Sequence, residues 1–331
     1  MGRFKVALVA LNNQSVPDWV AGPLVQAGID FVARDCVTRE ALAQHAGDAD
    51  VVWVMGSHEC LYAENLDVIP RCGAIIRAGS GTDNIPIAEA TQRGIIVANT
   101  PGATSDSVSD HALGLLLAVT RQIARQDRII RQGQWAATQG WPGWHLHGQS
   151  LGLVGFGHIP QLLVKKVRGY DFTVRAYDPF VNAEAMAAHG VQAASLEAVM
   201  AQSDFVSVHC PLTKDTRHLI GEKELRAMKP TAVLINTARG PVIDEPALIR
   251  SLREGWIAAA GLDVFEQEPI SPDNPLLAMD NVVLTPHIAG YSDESGALFW
   301  QLSLETALDL AAGKWPRSVV NPGVKPRWAL I

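Results

Sequence analysis

Three side chains that could bind an anion and transfer a proton follow late, apolar segments of the chain. They are Arg239, Glu268 and His287, and each comes shortly after a run typical of a buried strand. Arginine binds a carboxylate through two parallel hydrogen bonds, and histidine exchanges a proton near neutral pH. A carboxylate orients such a histidine and stabilises its charged form. Together these residue types suit hydride transfer to or from a hydroxy acid.

Each of these residues also has a structural alternative. Arg239 could be a surface ion-pair partner, Glu268 a solvated loop acid, and His287 a histidine with no role in chemistry. Asp263 is an alternative to Glu268 as the partner of His287, because it also follows a strand and is ionisable. In open α/β sheets, ligands bind outside the carboxyl ends of the strands. All of these residues are expected at that edge, which favours the functional interpretation.

A glycine-rich turn supplies a second candidate site. The apolar strand predicted at 151–155 runs into Gly155 and Gly157 and then into a helix that opens with His158 and Ile159. Gly155 allows the sharp turn, and Gly157 allows the backbone to come close to a ligand. Free amides at the helix N-terminus favour a pyrophosphate. The turn therefore predicts a dinucleotide site.

The residue that follows the next strand indicates which dinucleotide binds. Asp178 lies at the end of the segment 172–177, about the expected ~20 residues beyond the glycines. Its carboxylate can accept hydrogen bonds from a ribose 2′-hydroxyl and would repel a 2′-phosphate, so we predict NAD rather than NADP. Pro160 departs from the usual glycine or alanine at the third position of the motif.

Composition excludes several functional classes. The 331-residue chain is 48% hydrophobic and 18% charged, with a formal net charge of −7 and no basic tract. A nucleic-acid partner is therefore not expected. The longest apolar run, 112–119, is too short to span a membrane, and four scattered cysteines without CxxC spacing predict a cytoplasmic protein with reduced thiols. His145 and His147 form an HxH pair without a third ligand, so we expect no metal.

Strands and helices alternate along the chain, which predicts an α/β fold with two doubly wound parallel sheets and a cleft between the two domains. We predict strands at 4–10, 30–33, 50–55, 73–78 and 95–99, and then at 151–155, 172–177, 204–209, 232–237, 258–264 and 281–285. One long helix is expected over 104–133, and a final helix over 293–312. The second set of strands would form a Rossmann domain.

Seven segments resemble the D-isomer-specific 2-hydroxyacid dehydrogenase family over nearly the whole chain. They are Arg77-Ala-Gly-Ser-Gly-Thr-Asp-Asn84, Leu151-Gly-Leu-Val-Gly-Phe-Gly157 with Ala176-Tyr-Asp-Pro179, His209-Cys-Pro-Leu-Thr213, Asn236-Thr-Ala-Arg-Gly240, Gly261-Leu-Asp-Val-Phe-Glu-Gln-Glu-Pro269 and Pro286-His-Ile-Ala-Gly290. The phosphoglycerate dehydrogenase and C-terminal-binding-protein branches look most similar. The resemblance implies a flavodoxin-like substrate domain formed by residues 1–98 and 292–331, and a Rossmann NAD domain formed by residues 99–291.

The resemblance also implies roles for individual residues. Arg239 would bind the substrate carboxylate and carbonyl, His287 would be the acid/base, and Glu268 would be its partner. Backbone amides of the turn at Arg77, Ala78, Gly79, Ser80 and Gly81 would contact the substrate together with Arg239 and His287. With the glycine turn, the predicted NAD contacts are Ser80, Gly155, Gly157, His158, Ile159, Asp178, Cys210, Pro211, Thr237, Ala238, Arg239, Asp263, His287 and Gly290.

Two function classes stay open at this point. One is a dehydrogenase for a small D-2-hydroxy acid and its 2-oxo acid, and the other is an NAD(H)-sensing scaffold with little turnover. The presence of Arg239, Glu268 and His287 together favours the enzyme, because a sensor needs no proton relay. A formate dehydrogenase is disfavoured, because a hydride donor without a hydroxyl has no need of a Glu–His proton relay. The segment Met55-Gly56-Ser57-His58 lacks an arginine that many relatives carry, which argues against a phosphorylated substrate.

A homodimer through the NAD domains is also predicted. The helix at 104–133 and the cluster of Trp135, Trp141 and Trp144 present more apolar surface than one Rossmann domain is expected to cover. The alternative is that these tryptophans pack on their own chain.

Overall fold

A computed structural model describes residues 3–11, 15–55, 60–135 and 143–331 of the chain. The chain divides into two compact units. The first comprises Met1–Thr104 and Ser292–Ile331, and the second comprises Ser105–Tyr291. Within the described residues, no helix is both long enough and apolar enough to cross a bilayer.

The first unit is a five-stranded parallel sheet with the strand order β2-β1-β3-β4-β5, which is the flavodoxin-like order. Its strands are β1 (Lys5–Ala10), β2 (Asp30–Ala33), β3 (Val51–Met55), β4 (Ala74–Ala78) and β5 (Ile96–Asn99). Its helices are α1 (Asp18–Gln26), α2 (Arg39–Ala46), α3 (Ile87–Gln92) and, from the C-terminal part of the chain, α11 (Asp293–Ala311).

The C-terminal helix completes the core of this unit. β3 is buried throughout, which suits a parallel strand covered on both faces. Trp53 on β3 meets Trp300 on α11 edge to face, with 5.4 Å between ring centroids. Ser292 caps α11 by accepting a hydrogen bond from the Ser295 amide. Burial of aromatic surface against β3 therefore fixes where residues after 291 return.

The second unit is a seven-stranded parallel sheet with the order β12-β11-β10-β9-β6-β7-β8. Counted from its own first strand, this is the Rossmann order with one further strand. The strands are β6 (Ser150–Val154), β7 (Thr173–Tyr177), β8 (Gln192–Ala193), β9 (Phe205–Val208), β10 (Val233–Asn236), β11 (Ala259–Leu262) and β12 (Val282–Leu284). The helices are α4 (Ser105–Thr120), α5 (Ile123–Arg131), α6 (His158–Lys166), α7 (Ala183–Ala187), α8 (Leu196–Gln202), α9 (Glu222–Ala227) and α10 (Glu245–Glu254).

The two-sheet α/β fold predicted from the sequence is confirmed, but one long element is not. The helix expected over 104–133 is two helices, because Gln122 adopts a left-handed conformation with φ 53°. The Thr120 carbonyl accepts a hydrogen bond from the Trp144 amide at 3.3 Å, where a continuing helix would use it internally. The two-residue β8 was also missed, since so short a strand carries no periodicity.

Candidate active site

Glu268 and His287 form a hydrogen-bonded pair in the second unit. The His287 Nδ1 lies 2.6 Å from the Glu268 Oε2, and the two side chains are 42% and 34% exposed, the histidine being the more exposed. An ionised carboxylate can only accept, so Nδ1 carries the proton of this bond and Nε2 is left for another partner. The pair can thus exchange a proton at Nε2 while the ring orientation is held from the other side.

The Glu268 carboxyl is held in its ionised form. Burial opposes its ionisation, but hydrogen bonds from His287 and from the Phe265 amide, with the positive charge of Arg239, outweigh that effect. The pKa of Glu268 therefore lies below its ordinary value. The Phe265 amide lies 3.0 Å from Oε1, so one oxygen is anchored to the backbone while the other meets the imidazole.

Arg239 follows β10 and lies close enough to Glu268 to influence its charge. Its Nη1 donates to the Ala238 carbonyl at 2.8 Å, which holds the half-buried guanidinium against its own backbone. The next residue, Gly240, has no room for a side chain, because a Cβ there would lie 1.9 Å from the Phe265 carbonyl carbon. This close approach joins the arginine segment to the loop that carries Glu268.

Asp263 holds the histidine loop by its backbone and does not contact the imidazole. The fully buried carboxylate accepts hydrogen bonds from the Thr285 hydroxyl at 2.6 Å and from the Ile288 and Ala289 amides, each at 2.9 Å. The His287 amide donates to the Asp263 carbonyl at 2.8 Å. In the structure, Glu268 rather than Asp263 is therefore the carboxylate that contacts the His287 ring.

The glycine turn has the shape that a phosphate needs. Gly155 has φ +96°, and a Cβ there would lie 2.7 Å from the Cys210 amide nitrogen. Gly157 precedes α6 and has nothing within 4 Å of where its Cβ would be, so a ligand can approach its backbone. The adjoining His158 is exposed and Ile159 is half-buried. Pro160 is buried in the first turn of α6, where an amide has no partner within the helix.

Asp178 follows β7 and is anchored beside this turn. Its Oδ2 accepts from the Phe156 amide at 2.8 Å, and its Oδ1 accepts from the Phe180 amide at 2.9 Å. Each oxygen keeps a second lone pair for a ribose hydroxyl. Because both oxygens are held, the negative charge has a fixed place at the end of the strand.

Two buried polar atoms at the same edge of the sheet lack a partner within the described part of the chain. They are Nδ1 of His209 and Oγ1 of Thr237, which follow the adjacent strands β9 and β10. The other ring nitrogen of His209 lies 2.9 Å from the Ser207 hydroxyl, and burial lowers the pKa of His209 to about 3. Buried polar atoms without partners are costly. Together with the open glycine turn, they fit a polar ligand such as NAD.

Of the remaining predicted cofactor residues, Cys210, Pro211 and Ala238 follow strands of the same unit, Gly290 lies in the loop after β12, and Ser80 lies in the first unit. Cys210 is buried, and burial raises the pKa of its thiol to about 11. The Pro211 carbonyl accepts from the Thr216 hydroxyl at 2.6 Å, and the Ala238 amide donates to Asn236 at 3.0 Å. Gly290 is half-buried.

In the turn Arg77–Gly81 of the first unit, which was predicted to bind substrate, only some of the predicted amide donors are available. The Gly79 amide donates to the Thr100 hydroxyl at 2.7 Å, and Arg77 Nη1 donates to the Ala78 carbonyl at 2.8 Å. Gly79 has φ +127°, and a Cβ there would lie 1.5 Å from Nη1 of Arg77. Within the described residues, the amides of Ser80 and Gly81 meet no acceptor. These two are the candidate anion donors.

Sequence reasoning missed His111 and Thr285, which contact Asp263 from a helix and from a strand end. A histidine within an apolar helical pattern gives no sign of a partner 174 residues away. Gly56, Ser57 and His58, and Trp141, lie outside the described residues. Among the described residues, no cluster of three or more histidine, cysteine or acidic side chains could hold a metal ion, and His145 and His147 stack edge to face.

Comparisons with known proteins decide the family. The model of the D-isomer-specific 2-hydroxyacid dehydrogenase NAD-binding domain matches residues 113–289. The chain belongs to this family. It is 44% identical over 267 residues to a glyoxylate reductase of Thermococcus litoralis, covering 79% of this chain and 80% of that protein. It is 37% identical over 316 residues to a D-3-phosphoglycerate dehydrogenase of Archaeoglobus fulgidus, covering 93% of this chain and 60% of that protein.

The solved structures agree. The holo form of Rhodotorula graminis D-mandelate dehydrogenase superimposes with a TM-score of 0.89 at 29% identity, covering 98% of this chain and 99% of that one. The chain is therefore an NAD-dependent oxidoreductase that transfers hydride between the cofactor and a small 2-hydroxy or 2-oxo acid. The dehydrogenase interpretation holds over the scaffold alternative, because these relatives are enzymes.

Proposed function

We propose that Arg239, Glu268 and His287 carry out the interconversion of a small D-2-hydroxy acid and its 2-oxo acid. The observation that carries this proposal is the 2.6 Å hydrogen bond between His287 and Glu268, beside an arginine. When bound, NADH supplies the hydride. Arg239 holds the substrate carboxylate, and Nε2 of His287 donates its proton to the carbonyl oxygen as the hydroxyl forms. Glu268 stabilises the protonated ring before the transfer.

We propose that the first unit also contacts the substrate, with the Ser80 and Gly81 amides donating hydrogen bonds to the same carboxylate that Arg239 binds. The substrate class is a short, unphosphorylated 2-oxo acid such as glyoxylate. The name of the T. litoralis relative and the absence of arginine from Met55–His58 support this choice.

The test is steady-state NADH oxidation with glyoxylate, hydroxypyruvate and phosphohydroxypyruvate, run for the parent protein and for Arg239→Lys. Lysine keeps the charge but loses the two-pronged geometry, so we expect the KM of the best acid to rise about tenfold or more. A preference for phosphohydroxypyruvate would overturn the substrate class. An unchanged KM in Arg239→Lys would overturn the role of the arginine.

For the cofactor, we propose that NAD is preferred over NADP because of Asp178. The support is its position at the end of β7 and the two amides that hold its charge in place. A 2′-phosphate brought to this carboxylate would meet a like charge. The preference is expected to be about tenfold or more in kcat/KM, equivalent to about 1.4 kcal/mol.

We also propose a cytoplasmic homodimer that associates through the NAD-binding unit. Ile123 and Ile130 on α5 are 55% and 48% exposed, and Trp135 is 89% exposed. Trp144, in contrast, packs in its own unit, where its Nε1 donates to the Thr231 carbonyl at 2.8 Å. Light scattering of Ile130→Asp, with Val37→Asp at an exposed apolar position of the first unit as control, is the test. We expect only Ile130→Asp to give monomers, and a monomeric parent protein would contradict the proposal.

A further inference from the structure

We propose that His111 is a positioning residue for the catalytic loop at 285–289, acting through Thr285 and Asp263. This inference rests on the proposed role of His287. It concerns a side chain of α4 whose two contacts, Thr285 and Asp263, follow strands β12 and β11.

The loop is held at a single buried carboxylate. Asp263 is fully buried, and its two oxygens accept hydrogen bonds from the Ile288 amide, the Ala289 amide and the Thr285 hydroxyl. The backbone carbonyl of Asp263 also accepts a hydrogen bond from the His287 amide. A buried carboxylate is stable only when its lone pairs are satisfied in this way. The path of residues 285–289 is therefore set by where the Asp263 carboxylate points.

His111 completes this arrangement from the side. Its Nε2 lies 2.8 Å from the Thr285 Oγ1 and 3.5 Å from the Asp263 Oδ1. The Thr285 hydroxyl has one proton, which it donates to Asp263, so it can only accept from the imidazole. Nε2 of His111 must therefore carry a hydrogen. The imidazole is a donor that fixes the rotamer of Thr285 and adds a polar neighbour to the carboxylate.

Such support matters because His287 has an unfavourable backbone conformation. Its φ is +53°, in the left-handed region that residues with a side chain seldom adopt. Surrounding contacts must hold His287 in this conformation. Asp263 provides them, because it accepts hydrogen bonds from His287 and from residues on both sides of it. The contacts of His111 also join the first and last segments of the second unit in sequence. Helix α4 begins at Ser105, the first residue of that unit, and the loop leads to Tyr291, its last residue.

Two pairs of variants test the proposal. His111→Leu removes the donor, while His111→Gln places an amide N–H at a similar reach. Thr285→Val removes the hydroxyl, while Thr285→Ser keeps it. With the best 2-oxo acid, we expect kcat to fall about tenfold in His111→Leu and in Thr285→Val, with KM within about twofold. The glutamine and serine variants should restore at least about half of the parent kcat. The double variant His111→Leu/Thr285→Val should lose no more than either single one, because both act on one contact.

A second measurement does not depend on activity. Hydrogen exchange of the apoprotein should show the Ile288 and Ala289 amides exchanging about tenfold faster in His111→Leu and Thr285→Val, and near the parent rate in His111→Gln. Exchange in β1 of the other unit should stay unchanged. Unchanged exchange of both loop amides in His111→Leu would overturn the proposal. So would a kcat loss in His111→Gln as large as in His111→Leu.

These readouts separate this inference from the proposed function. If the parent protein turned over no 2-oxo acid, the proposed function would fail, while the exchange measurement would still report on the network. If the parent were active and the loop amides kept their protection in both apolar variants, only the role of His111 would fail.

Discussion

Replacing Glu268 with glutamine tests the proton relay in a way that can be worked out from the structure. The substitution Glu268→Gln would keep the size of the side chain and one hydrogen-bond acceptor but would remove the negative charge 2.6 Å from Nδ1 of His287. The protonated ring would then lose stabilisation relative to the neutral ring. Reduction needs the protonated ring, so its rate should begin to fall at a lower pH than in the parent protein.

The size of the shift follows from the exposure of the pair. A hydrogen bond to a charged group contributes about 1.5–3 kcal/mol. Because the two side chains are 42% and 34% exposed, solvent screening favours the low end of that range. About 1.4 kcal/mol is a tenfold change in rate. The alkaline limb of the reduction profile should therefore lie at lower pH in Glu268→Gln, so that reduction on that limb is about tenfold slower than in the parent protein, and oxidation should stay active further into the acid range.

The lowered pKa of Glu268 indicates the pH range in which the Glu268–His287 pair stops stabilising the fold. A carboxyl whose pKa in the folded protein is below its ordinary 4.5 stabilises the fold above that pH. This contribution disappears as the pH falls through the lowered value. The stability that the Glu268 charge adds over Glu268→Gln should thus be lost only below about 4.5.

The assay is a pair of pH–rate profiles for NADH oxidation and NAD reduction. Glu266→Gln is the matched control, because Glu266 pairs with His218, so its replacement removes a nearby charge without touching the His287 pair. It should leave both limbs in place. Asp263→Asn should lower the rate without moving the limb. A limb that moves in Asp263→Asn and stays fixed in Glu268→Gln would refute the assignment of the carboxylate.

Three further outcomes follow from the site. His287→Ala should lower turnover more than about a hundredfold in both directions while NADH affinity, measured by fluorescence, changes less than about twofold; comparable turnover would remove the histidine from the chemistry. Asp178→Ser should lower the preference for NADH over NADPH about tenfold, and an unchanged ratio of kcat/KM would show that another residue sets it. Gly240→Ala should lower the melting temperature or prevent folding, because its Cβ would overlap the backbone of Phe265, whereas Gly157→Ala should melt like the parent but bind NADH more weakly.

Much of the fold could be predicted because the apolar pattern and the breaker residues agree. β3 is buried on both faces, and its sequence is a continuous apolar run. Gly94, with φ +71°, follows the C-terminus of α3, where glycine is a common stop signal. The break at Gln122 could not be predicted, because glutamine favours a helix and the left-handed turn depends on contacts such as that of Trp144 with Thr120.

The candidate site was predictable as far as strand order goes. Parallel strands deliver Arg239, Glu268 and His287 to one edge of a sheet, and residue type then suggests their chemistry. Which carboxylate meets the imidazole depends on a side-chain rotamer and on the Phe265 amide, neither of which is encoded in spacing. The contact of His111 with Thr285 joins residues 174 positions apart and has no local signal.

The chain is proposed to use NADH to make the D isomer of a 2-hydroxy acid. The most direct test incubates the protein with NADH and a panel of prochiral 2-oxo acids, including pyruvate, hydroxypyruvate and phenylpyruvate, and separates the products by chiral chromatography. Consumption of NADH with formation of the D isomer from at least one acid, lost in His287→Ala, is the predicted result. Formation of the L isomer, or tight NADH binding without turnover of these acids or of glyoxylate, would contradict this assignment.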